Sequence, residues 1–563
     1  MNIKKYFGTY KKSNTGYVKQ LMNIFEKALQ PYSNYNGCFF KGSTEFRYLD
    51  YLEKCHLNED AMEPKDVFNY VASFFQNIPN WNNPGTMINV IPPVNLLSLT
   101  GSIYTNMFNP NFAEDHYSGH LLTAELEVGK YLSNLIGWDW KKSYGLFTFG
   151  GKGTNLYATK IALNQAIPSN MSDGLNNQQC FMITSATAHP CHYEVCQWLG
   201  IGSKNCIDAP CNEFGVIDLD ATEKIICENI EQGKIFLGFN INGCNTVEFA
   251  VDPIKQVYNL NNKIISKYNL KYQPHIHVDA VLGWVWLFFK DYDFKTNPLK
   301  FSKESLKKIR SLSHKISEIE YADSIGIDFH KTGFCPYTSS IFMIKDKNKY
   351  FSLNPSKNIP LEELVWGNFA PFQTSLELTR SASGAISALI CLKSLGKKGF
   401  QDIIGNLFSS TEMFRKLIAK DKRVELINCE TEGLATLFII KPKEYENMHL
   451  QELISLPSQK IEKIRNLNIG YGQFIQKLSH EGKINFTYTS SRSYTIGNTG
   501  IKIGAIKAYP LSVFLNKSIT KKLVNEIFKT IDLFITSDEG KKLTQEKHQV
   551  DDMVYKQRLF FYL

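Results

Sequence analysis

Short apolar runs alternate with helical patterns through the middle of the chain, from about residue 125 onward. Four of these runs predict buried strands, at residues 180–184, 235–240, 275–278 and 340–344. After Asp252 and Pro253, apolar residues recur on one face of a predicted helix, with Asp252 as its N-cap and Pro253 in its first position. Strands that alternate with helices predict βαβ units and a mainly parallel sheet, which is the α/β class.

The two ends of the chain carry different patterns. Up to about residue 122 the sequence is rich in aromatic residues and is interrupted by proline-containing turns. Beyond about residue 398, strand-like runs at 434–440 and 501–506 precede a helical stretch at 519–534. We therefore predict three parts: an N-terminal segment (1–124), a large domain (125–397) and a small C-terminal α+β domain (398–563).

Composition narrows the possible partners. The 563 residues are 43% hydrophobic and 21% charged, an ordinary balance for a globular protein of two or three packed units. The net charge of +9 comes from lysines interspersed with acidic residues, without a nucleic-acid motif, so we predict no nucleic-acid partner. The sequence shows no secretory or membrane-spanning apolar stretch, which predicts a cytoplasmic protein without a membrane partner. Its twelve cysteines contain no C-x-x-C pair and predict reduced thiols and no metal site.

The stretch from Asp328 to Pro336, Asp-Phe-His-Lys-Thr-Gly-Phe-Cys-Pro, contains the first candidate for chemistry. Lys331 stands in it, shortly before the strand-like run at 340–344. A lysine that forms a Schiff base must be partly desolvated so that its amine is neutral and nucleophilic. The alternative is an ordinary surface lysine in a loop.

A second candidate is Asp279, which ends the run Pro-His-Ile-His-Val-Asp. A carboxylate at the end of a buried strand is able to pair with the ring nitrogen of pyridoxal phosphate (PLP) and keep that nitrogen protonated. The alternative is a simple cap of the strand end. His189 follows the predicted strand 180–184, where its imidazole would either stack on a flat ring or pack in the core.

Glycines open the predicted helix after residue 150. Gly150, Gly151 and Gly153 allow backbone N–H groups to approach a phosphate, which the helix dipole also favours. The nucleotide-binding P-loop pattern fails, because Leu146 and Gly153 stand where it requires glycine and a hydroxyl residue. The sequence thus allows a phosphate cradle for a cofactor, or a plain turn that opens a helix.

The order of these stretches is more specific than each alone. The glycine loop, Ala188-His189, the His-Val-Asp-Ala run that ends at Ala280, and His330-Lys331 each follow a strand-like run. In this order the chain resembles the group II PLP-dependent decarboxylases, which include glutamate, aromatic amino-acid, tyrosine and 2,4-diaminobutyrate decarboxylases. The resemblance extends from about residue 109 to 395.

The resemblance implies the fold-type I, aminotransferase-like architecture and a homodimer, with the N-terminal segment packed on the partner. By the same resemblance, Lys331 forms the internal aldimine, Asp279 pairs with the ring nitrogen, and His189 stacks on the ring. The remaining cofactor-binding positions that it implies are Gly150, Gly151, Lys152, Thr246, Val281 and His330. Lys152 replaces a usual threonine, so its ammonium would pair with the phosphate. Arg380 either binds a substrate carboxylate or supports the phosphate, or else forms a structural ion pair.

The implied reaction is decarboxylation of an L-amino acid to the amine and carbon dioxide, through a Lys331 aldimine and a quinonoid. The family's mobile loop usually carries a proton-donating tyrosine. In the comparable residues 346–367, only Tyr350 is available, early in the stretch, and Leu361 stands at the expected position. An aldehyde-forming oxidative decarboxylase is therefore one alternative, and an inactive PLP-binding scaffold is another. The sequence does not predict which amino acid is the substrate.

Overall fold

The computed structural model describes residues 7–9, 13–212, 214–354, 361–428, 431–495 and 501–545. Its α-helices, in chain order, are α1 (Thr15–Leu29), α2 (Tyr48–Leu52), α3 (Pro64–Ala72), α4 (Leu96–Phe108), α5 (Asp115–Ser118), α6 (Thr123–Ile136), α7 (Gly151–Ala166), α8 (Asn170–Asp173), α9 (Cys191–Trp198), α10 (Leu219–Glu231), α11 (Ile254–Tyr268), α12 (Lys303–Ser317), α13 (Lys347–Phe351), α14 (Ser383–Ile418), α15 (Leu450–Ile454), α16 (Ser458–His480), α17 (Lys517–Thr536) and α18 (Asp538–Gln545).

The strands form two sheets. In chain order they are β1 (Thr86–Met87), β2 (Tyr144–Thr148), β3 (Cys180–Ser185), β4 (Cys206–Ala209), β5 (Ile235–Asn242), β6 (His275–Asp279), β7 (Ser324–Asp328), β8 (Ser340–Ile344), β9 (Val424–Leu426), β10 (Thr436–Ile440), β11 (Thr487–Thr495) and β12 (Lys502–Ala508).

The large sheet has seven strands in the order β2-β8-β7-β6-β5-β3-β4. Strands β4, β3, β5, β6 and β7 pair in parallel, whereas β8 is antiparallel to both of its neighbours. This confirms the predicted α/β class with a mainly parallel sheet, and the four predicted strands correspond to β3, β5, β6 and β8. The runs are continuously apolar because both faces of such a sheet are covered.

Helix α7 packs across the central strands β5, β6, β7 and β8. It is buried on most sides, with Tyr157, Ala158 and Ile161 inaccessible to solvent. Because α7 is buried on nearly all sides, its apolar and polar residues are not separated onto two faces as they are in a surface helix. Its first residue, Gly151, is half-buried and lies beside Asp328 and Val281, at the end of the sheet where the parallel strands finish.

The start of α11 differs from the sequence prediction. The helix begins at Ile254, and Pro253 is its N-cap residue. Asp252 does not cap the helix, because its carboxylate accepts hydrogen bonds from the backbone N–H groups of Ile217 (2.9 Å) and Asn242 (2.7 Å). The buried carboxylate thus joins the end of β5 to the segment before α10 instead.

The small sheet has five strands in the order β1-β11-β12-β10-β9. Four of them come from the C-terminal part, and α16 packs on β10, β11 and β12. The fifth, β1, comes from the N-terminal segment and pairs in parallel with β11, Thr86 opposite Thr487. The N-terminal segment is therefore tied into the C-terminal sheet.

The division into parts at 124 and 397 stays a prediction. Near the second boundary, α14 continues as a helix through residue 418, interrupted only at Gly396, where φ is +57°. Within the described residues, no helix is long and apolar enough to cross a membrane. The cytoplasmic location and the absence of a nucleic-acid partner stay predictions.

Candidate active site

A cavity of about 150 Å³ lies at the carboxyl ends of β5, β6 and β7. This is the edge of an open α/β sheet at which ligands bind. The cavity brings together eight of the ten predicted site residues; Gly150 and Arg380 are not among those that line it. The lining residues are Gly151, Lys152, Asn155, His189, Cys191, Asn242, Cys244, Asn245, Thr246, Asp279, Val281, Asp328, His330 and Lys331.

Lys331 forms an ion pair with Asp328, with 2.9 Å between Nζ and Oδ2. The carboxylate also accepts a hydrogen bond from the Ser340 hydroxyl (2.5 Å) and lies 3.5 Å from Nε2 of His330. Burial raises the pKa of Asp328, but Lys331, His330 and Ser340 together hold that pKa below its ordinary value. Asp328 is therefore a carboxylate inside the cavity, at the position three residues before the lysine.

The charge state of Lys331 differs from the sequence expectation. We expected burial to make the amine neutral. Burial does lower the pKa of Lys331, but the charges of Asp328 and Asp279 outweigh it and hold the pKa above its ordinary value. In this state the amine carries its proton, which it must lose before it attacks an aldehyde.

Asp279 ends β6 with its carboxylate at the cavity wall. Oδ2 accepts a hydrogen bond from Nδ2 of Asn155 (3.3 Å), and Oδ1 accepts one from the backbone N–H of Val281 (3.3 Å). Burial raises the pKa of Asp279, and the positive charge of Lys331 opposes that rise. A buried carboxylate with these few donors is suited to receive a further N–H group from a ligand.

His189 follows β3 and its ring lines the same cavity. Nδ1 accepts a hydrogen bond from the backbone N–H of Cys191 (3.1 Å), which fixes the ring at the start of α9. Burial, with the nearby charge of Lys331, lowers the pKa of His189 to about 4, so the imidazole is neutral at physiological pH. A neutral, flat ring in a cavity wall is suited to contact an aromatic ligand.

Cys191 also lines the cavity, although it is not among the predicted site residues. Its Sγ accepts a hydrogen bond from Nδ2 of Asn155 (3.3 Å). Burial and the charge of Asp279 raise the pKa of Cys191 to about 12, so it stays a thiol. Among the described side chains, no three histidine, cysteine or carboxylate groups are placed to hold a metal ion.

Glycine at position 151 keeps the cavity open at the N-terminus of α7. A Cβ atom there would lie 3.0 Å from Oδ2 of Asp328 and 3.3 Å from Cγ1 of Val281. Gly150, the N-cap, has φ of +136°, a backbone conformation that other residues rarely adopt. The loop thus brings bare backbone and a helix N-terminus to the cavity.

Lys152 has an acidic partner outside the predicted phosphate site. Lys152 lines the cavity, but its ammonium is already paired with the carboxylate of Glu194 in α9. It also lies 5.0 Å from the ring centre of Trp198. Glu194 therefore shares the charge of Lys152, and the pairing of Lys152 with a phosphate stays a prediction.

His330 and Thr246 complete the predicted set. The ring of His330 is buried, its Nδ1 lies 3.2 Å from the backbone oxygen of Ser339, and its centre lies 4.2 Å from that of the Tyr337 ring. Burial lowers the pKa of His330, and the neighbouring carboxylate of Asp328 opposes this. Thr246 is held by its backbone oxygen, which accepts a hydrogen bond from the Tyr509 hydroxyl (2.6 Å).

Arg380 does not line the cavity. Its geometry favours a structural ion pair over a contact with substrate or phosphate. Its guanidinium is buried in an ion pair with Glu125. It also donates hydrogen bonds to the backbone oxygens of Phe112 (3.1 Å) and Phe147 (2.9 Å). Arg380 thus joins the N-terminal segment to β2, and its expected contact with a substrate carboxylate is withdrawn.

We expect Arg380→Lys to lower the free energy of unfolding by about 2 kcal/mol, because a lysine lacks the planar fork that bonds several acceptors. The Michaelis constant should stay within about twofold, because the side chain does not reach the cavity. Denaturant unfolding and steady-state kinetics measure the two quantities. A large rise in the Michaelis constant with unchanged stability would restore the substrate-binding role.

The described residues of the predicted mobile loop, 346–367, bring no tyrosine to the cavity. Tyr350 is fully buried in α13, where its ring stacks with Tyr144 at 4.8 Å between centres. Its hydroxyl accepts a hydrogen bond from Thr374 (3.2 Å). The Leu361 side chain and residues 355–360 lie outside the described part of the chain.

Comparison with known proteins shows which family the chain is similar to. A model of the pyridoxal-dependent decarboxylase conserved domain matches residues 307–441, the span that contains Lys331. L-2,4-diaminobutyrate decarboxylase of Acinetobacter baumannii is 22% identical over 380 residues, which cover 65% of this chain and 68% of that protein. These matches support the group II PLP-dependent decarboxylase family. An acidic amino acid decarboxylase of Mus musculus is 23% identical to this chain over 419 residues, covering 72% of this chain and 69% of the relative.

Solved structures share the fold of this chain. The crystal structure of mouse CSAD superimposes with a TM-score of 0.74 at 17% identity and covers 91% of this chain and 98% of its own. That of Oryza sativa TDC with PLP and tryptamine has a TM-score of 0.73 at 13% identity and covers 94% of this chain and 100% of its own. The fold is thus fold-type I. The match to the pyridoxal-dependent decarboxylase domain and the decarboxylase relatives support PLP as the cofactor and, in general, a PLP-dependent amino-acid decarboxylase.

The cavity fits this cofactor. It contains one lysine amine for the aldehyde, a buried carboxylate for a protonated ring nitrogen, a neutral ring in its wall and open backbone at the start of α7. Asp328 and Asn155 are the lining residues whose importance the sequence reading missed. Asp328 was visible in the Asp-Phe-His-Lys stretch, but its contact with Lys331 depends on the turn that follows β7. Asn155 gave no signal, because it lies inside a predicted helix.

Proposed function

We propose that this chain converts an L-amino acid to the corresponding amine and carbon dioxide, with PLP held by Lys331. The observation that carries the proposal is the convergence of Lys331, Asp279, His189 and Gly151 on one cavity. These residues are spread over 181 positions, from 151 to 331, and each comes from a different strand end or helix start.

The residues present suit distinct parts of PLP. The Nζ atom of Lys331 would hold the aldehyde carbon, and the carboxylate of Asp279 would hold a proton on the ring nitrogen. The imidazole of His189 would contact the ring face. The N–H groups at the start of α7, beside Gly151, would bind the phosphate, and Thr246 would face the ring hydroxyl. Val281 narrows the cavity next to Gly151.

When bound, PLP supplies a ring that accepts the electron pair left behind as the substrate carboxylate departs as carbon dioxide. Asp279 strengthens this acceptor, since its negative charge keeps a proton on the nitrogen. Lys331 frees the cofactor when the substrate amine takes its place. Because Asp328 holds the Lys331 amine in its protonated form, that Nζ is the acid in the cavity that can return a proton to the α-carbon.

A panel of amino acids tests the proposal. It should include the common amino acids, aspartate, glutamate and L-2,4-diaminobutyrate, with carbon dioxide, amine and dissolved oxygen measured together. We expect one substrate to give amine and carbon dioxide in equal amounts without oxygen consumption. Oxygen uptake with aldehyde would favour the oxidative alternative. Bound PLP without turnover of any amino acid would favour the inactive scaffold.

Asp328→Asn should change the pH at which the apo enzyme captures PLP. The carboxylate of Asp328 holds the pKa of Lys331 above its ordinary value, and capture requires the neutral amine. Without this charge the pKa falls, so the pH profile of the capture rate should move to lower pH. Stopped-flow absorbance across a pH series measures it. An unshifted profile would contradict the role of Asp328, and Asp293→Asn, an exposed aspartate, is the control.

We also propose a homodimer in which the N-terminal segment packs on a partner. Large apolar side chains are exposed along this segment, including Leu49, Leu52, Leu57, Leu96 and Leu97. A segment that exposes this many large apolar side chains is suited to pack on a partner surface. Sedimentation analysis should find a particle of twice the chain mass.

A further inference from the structure

A line of buried polar side chains runs from Asp279 along one face of β6. His275, His277 and Asp279 alternate along this strand, so all three side chains point to the same face. Ser324 of β7 lies directly opposite His277 in the parallel register. The four side chains are almost completely inaccessible to solvent. Buried polar side chains of this kind are stable only if they form hydrogen bonds with one another.

Short contacts connect the line end to end. Asn155 bridges Asp279 and His277, with its Nδ2 3.3 Å from Oδ2 of Asp279 and its Oδ1 2.9 Å from Nε2 of His277. Nδ1 of His277 lies 2.8 Å from the hydroxyl of Ser324, and the same hydroxyl lies 2.7 Å from Nε2 of His275. One chain of hydrogen bonds therefore joins four residues to the carboxylate.

The protons in this chain can point in one of two directions. An ionised carboxylate only accepts, so Asn155 must turn its amide N–H towards Asp279 and its oxygen towards His277. His277 then donates from Nε2 and accepts at Nδ1 from Ser324. Ser324 has one proton, so it must accept from Nε2 of His275. Every donor in this arrangement points towards Asp279.

The reverse direction requires a protonated Asp279 and leaves a proton on Nδ1 of His275. That nitrogen has no hydrogen-bond partner within the described residues. A buried N–H without an acceptor is rarer and costlier than a bare acceptor nitrogen. Burial lowers the pKa of His275 to about 4 and that of His277 well below its ordinary value, so both rings are neutral, as a one-proton chain requires. The forward direction is therefore the stable one.

We infer that Asn155, His277, Ser324 and His275 form a one-way hydrogen-bond chain that keeps Asp279 ionised and fixes its orientation towards the cofactor's ring nitrogen. They are positioning residues, because in this chain only Asn155 touches the carboxylate and the other three act through it. The inference rests on the proposed role of Asp279. It extends the proposed site by about three residues behind the cavity, into the space between β6, β7 and α7.

The test compares two probes, PLP and its analogue with a C–H group in place of the ring nitrogen. The full-length apo enzyme should bind PLP more tightly than the analogue, because the analogue leaves the charge of Asp279 unpaired. Ser324→Ala removes the donor to His277, so Asp279 becomes easier to protonate and the preference for PLP should fall about fivefold, the size of one hydrogen bond between neutral groups. Fluorescence titration gives both dissociation constants.

Ser133→Ala is the matched control. Ser133 is also buried and makes two hydrogen bonds, to the backbone oxygen of Gly129 (2.8 Å) and to the Ser143 hydroxyl (2.7 Å), but it lies in α6 away from the chain. It should lose stability without a change in the preference. An equal fall in both variants would overturn the inference, because the effect would then come from general loosening.

Two further variants separate this inference from the proposed function. Asp279→Asn should abolish most of the preference; if it does not, the proposed role of Asp279 is wrong. If Asp279→Asn abolishes it and Ser324→Ala leaves it intact, only the hydrogen-bond chain is wrong. Should Ser324→Ala fail to fold, His275→Gln and His275→Leu replace it. Gln keeps an N–H group for Ser324 and should keep the preference, whereas Leu should lose it; equal behaviour of the pair would overturn the inference.

Discussion

Replacement of Lys331 by alanine is expected to abolish covalent capture of PLP and to lower the decarboxylation rate at least about a thousandfold. Lys331 is the only lysine besides Lys152 among the residues that line the cavity, and Lys152 is paired with Glu194. The visible absorbance of the enzyme-bound cofactor should disappear. Borohydride treatment of the wild-type enzyme should fix the cofactor on the peptide that contains Lys331, as mass spectrometry would show.

Lys345→Ala is the control for this experiment. Lys345 follows β8, and its ammonium donates to the backbone oxygen of Glu320 (2.8 Å) at the surface. Its loss should leave both cofactor capture and turnover within about twofold of the wild-type values. Residual capture of PLP by Lys331→Ala at another lysine, with normal activity, would refute the assignment.

Asp279→Ala should reduce the turnover number roughly a thousandfold, close to 4 kcal/mol of transition-state stabilisation, the upper end for loss of one charge-stabilising group. The expected loss in turnover number exceeds the expected loss in affinity for PLP, because the carboxylate matters most when electrons move into the ring. Steady-state kinetics at saturating PLP separates the two quantities. A variant that recovers full activity at high PLP would show that Asp279 only helps binding.

Glu412→Gln provides a comparison with another buried carboxylate. Glu412 lies in α14 and pairs with Lys308 (2.6 Å) and Arg415 (3.1 Å), far along the chain from the cavity. Loss of its charge should lower stability, because two cations lose their partner. The turnover number of the folded fraction should not change, which distinguishes a buried structural charge from one that acts on the cofactor.

The main elements could be predicted because their signals are local. Apolar runs bounded by polar residues give the strands, and the residues that follow each run give Asp279, His189 and Lys331 at one edge of the sheet. The roles of Arg380 and Lys152 could not be read in this way. Arg380 meets Glu125 across 255 positions, and Lys152 meets Glu194 across 42, so each partner is known only once the fold brings them together.

The charge of Lys331 shows a second limit. Burial can be guessed from an apolar neighbourhood, and burial alone predicts a neutral amine. The opposite shift arises because Asp328 lies 2.9 Å from Nζ, a distance set by the turn after β7. The chain behind Asp279 was hidden for the same reason: the alternation of His275 and His277 was visible, but Ser324 and Asn155 come from a strand and a helix far along the sequence.

The pairing of β1 with β11 constrains how the molecule is made. The ribosome produces Thr86 and Met87 early, but their partner strand, β11, is made only near the end of synthesis. Asn83 meets Asn485 (2.7 Å) in the same region, 402 positions later. Because domains generally fold as they emerge, the nascent chain must carry β1 without its partner strand while the large sheet forms. Newly made chains therefore pass through a long interval of exposure to chaperones and proteases before the last strands close the fold.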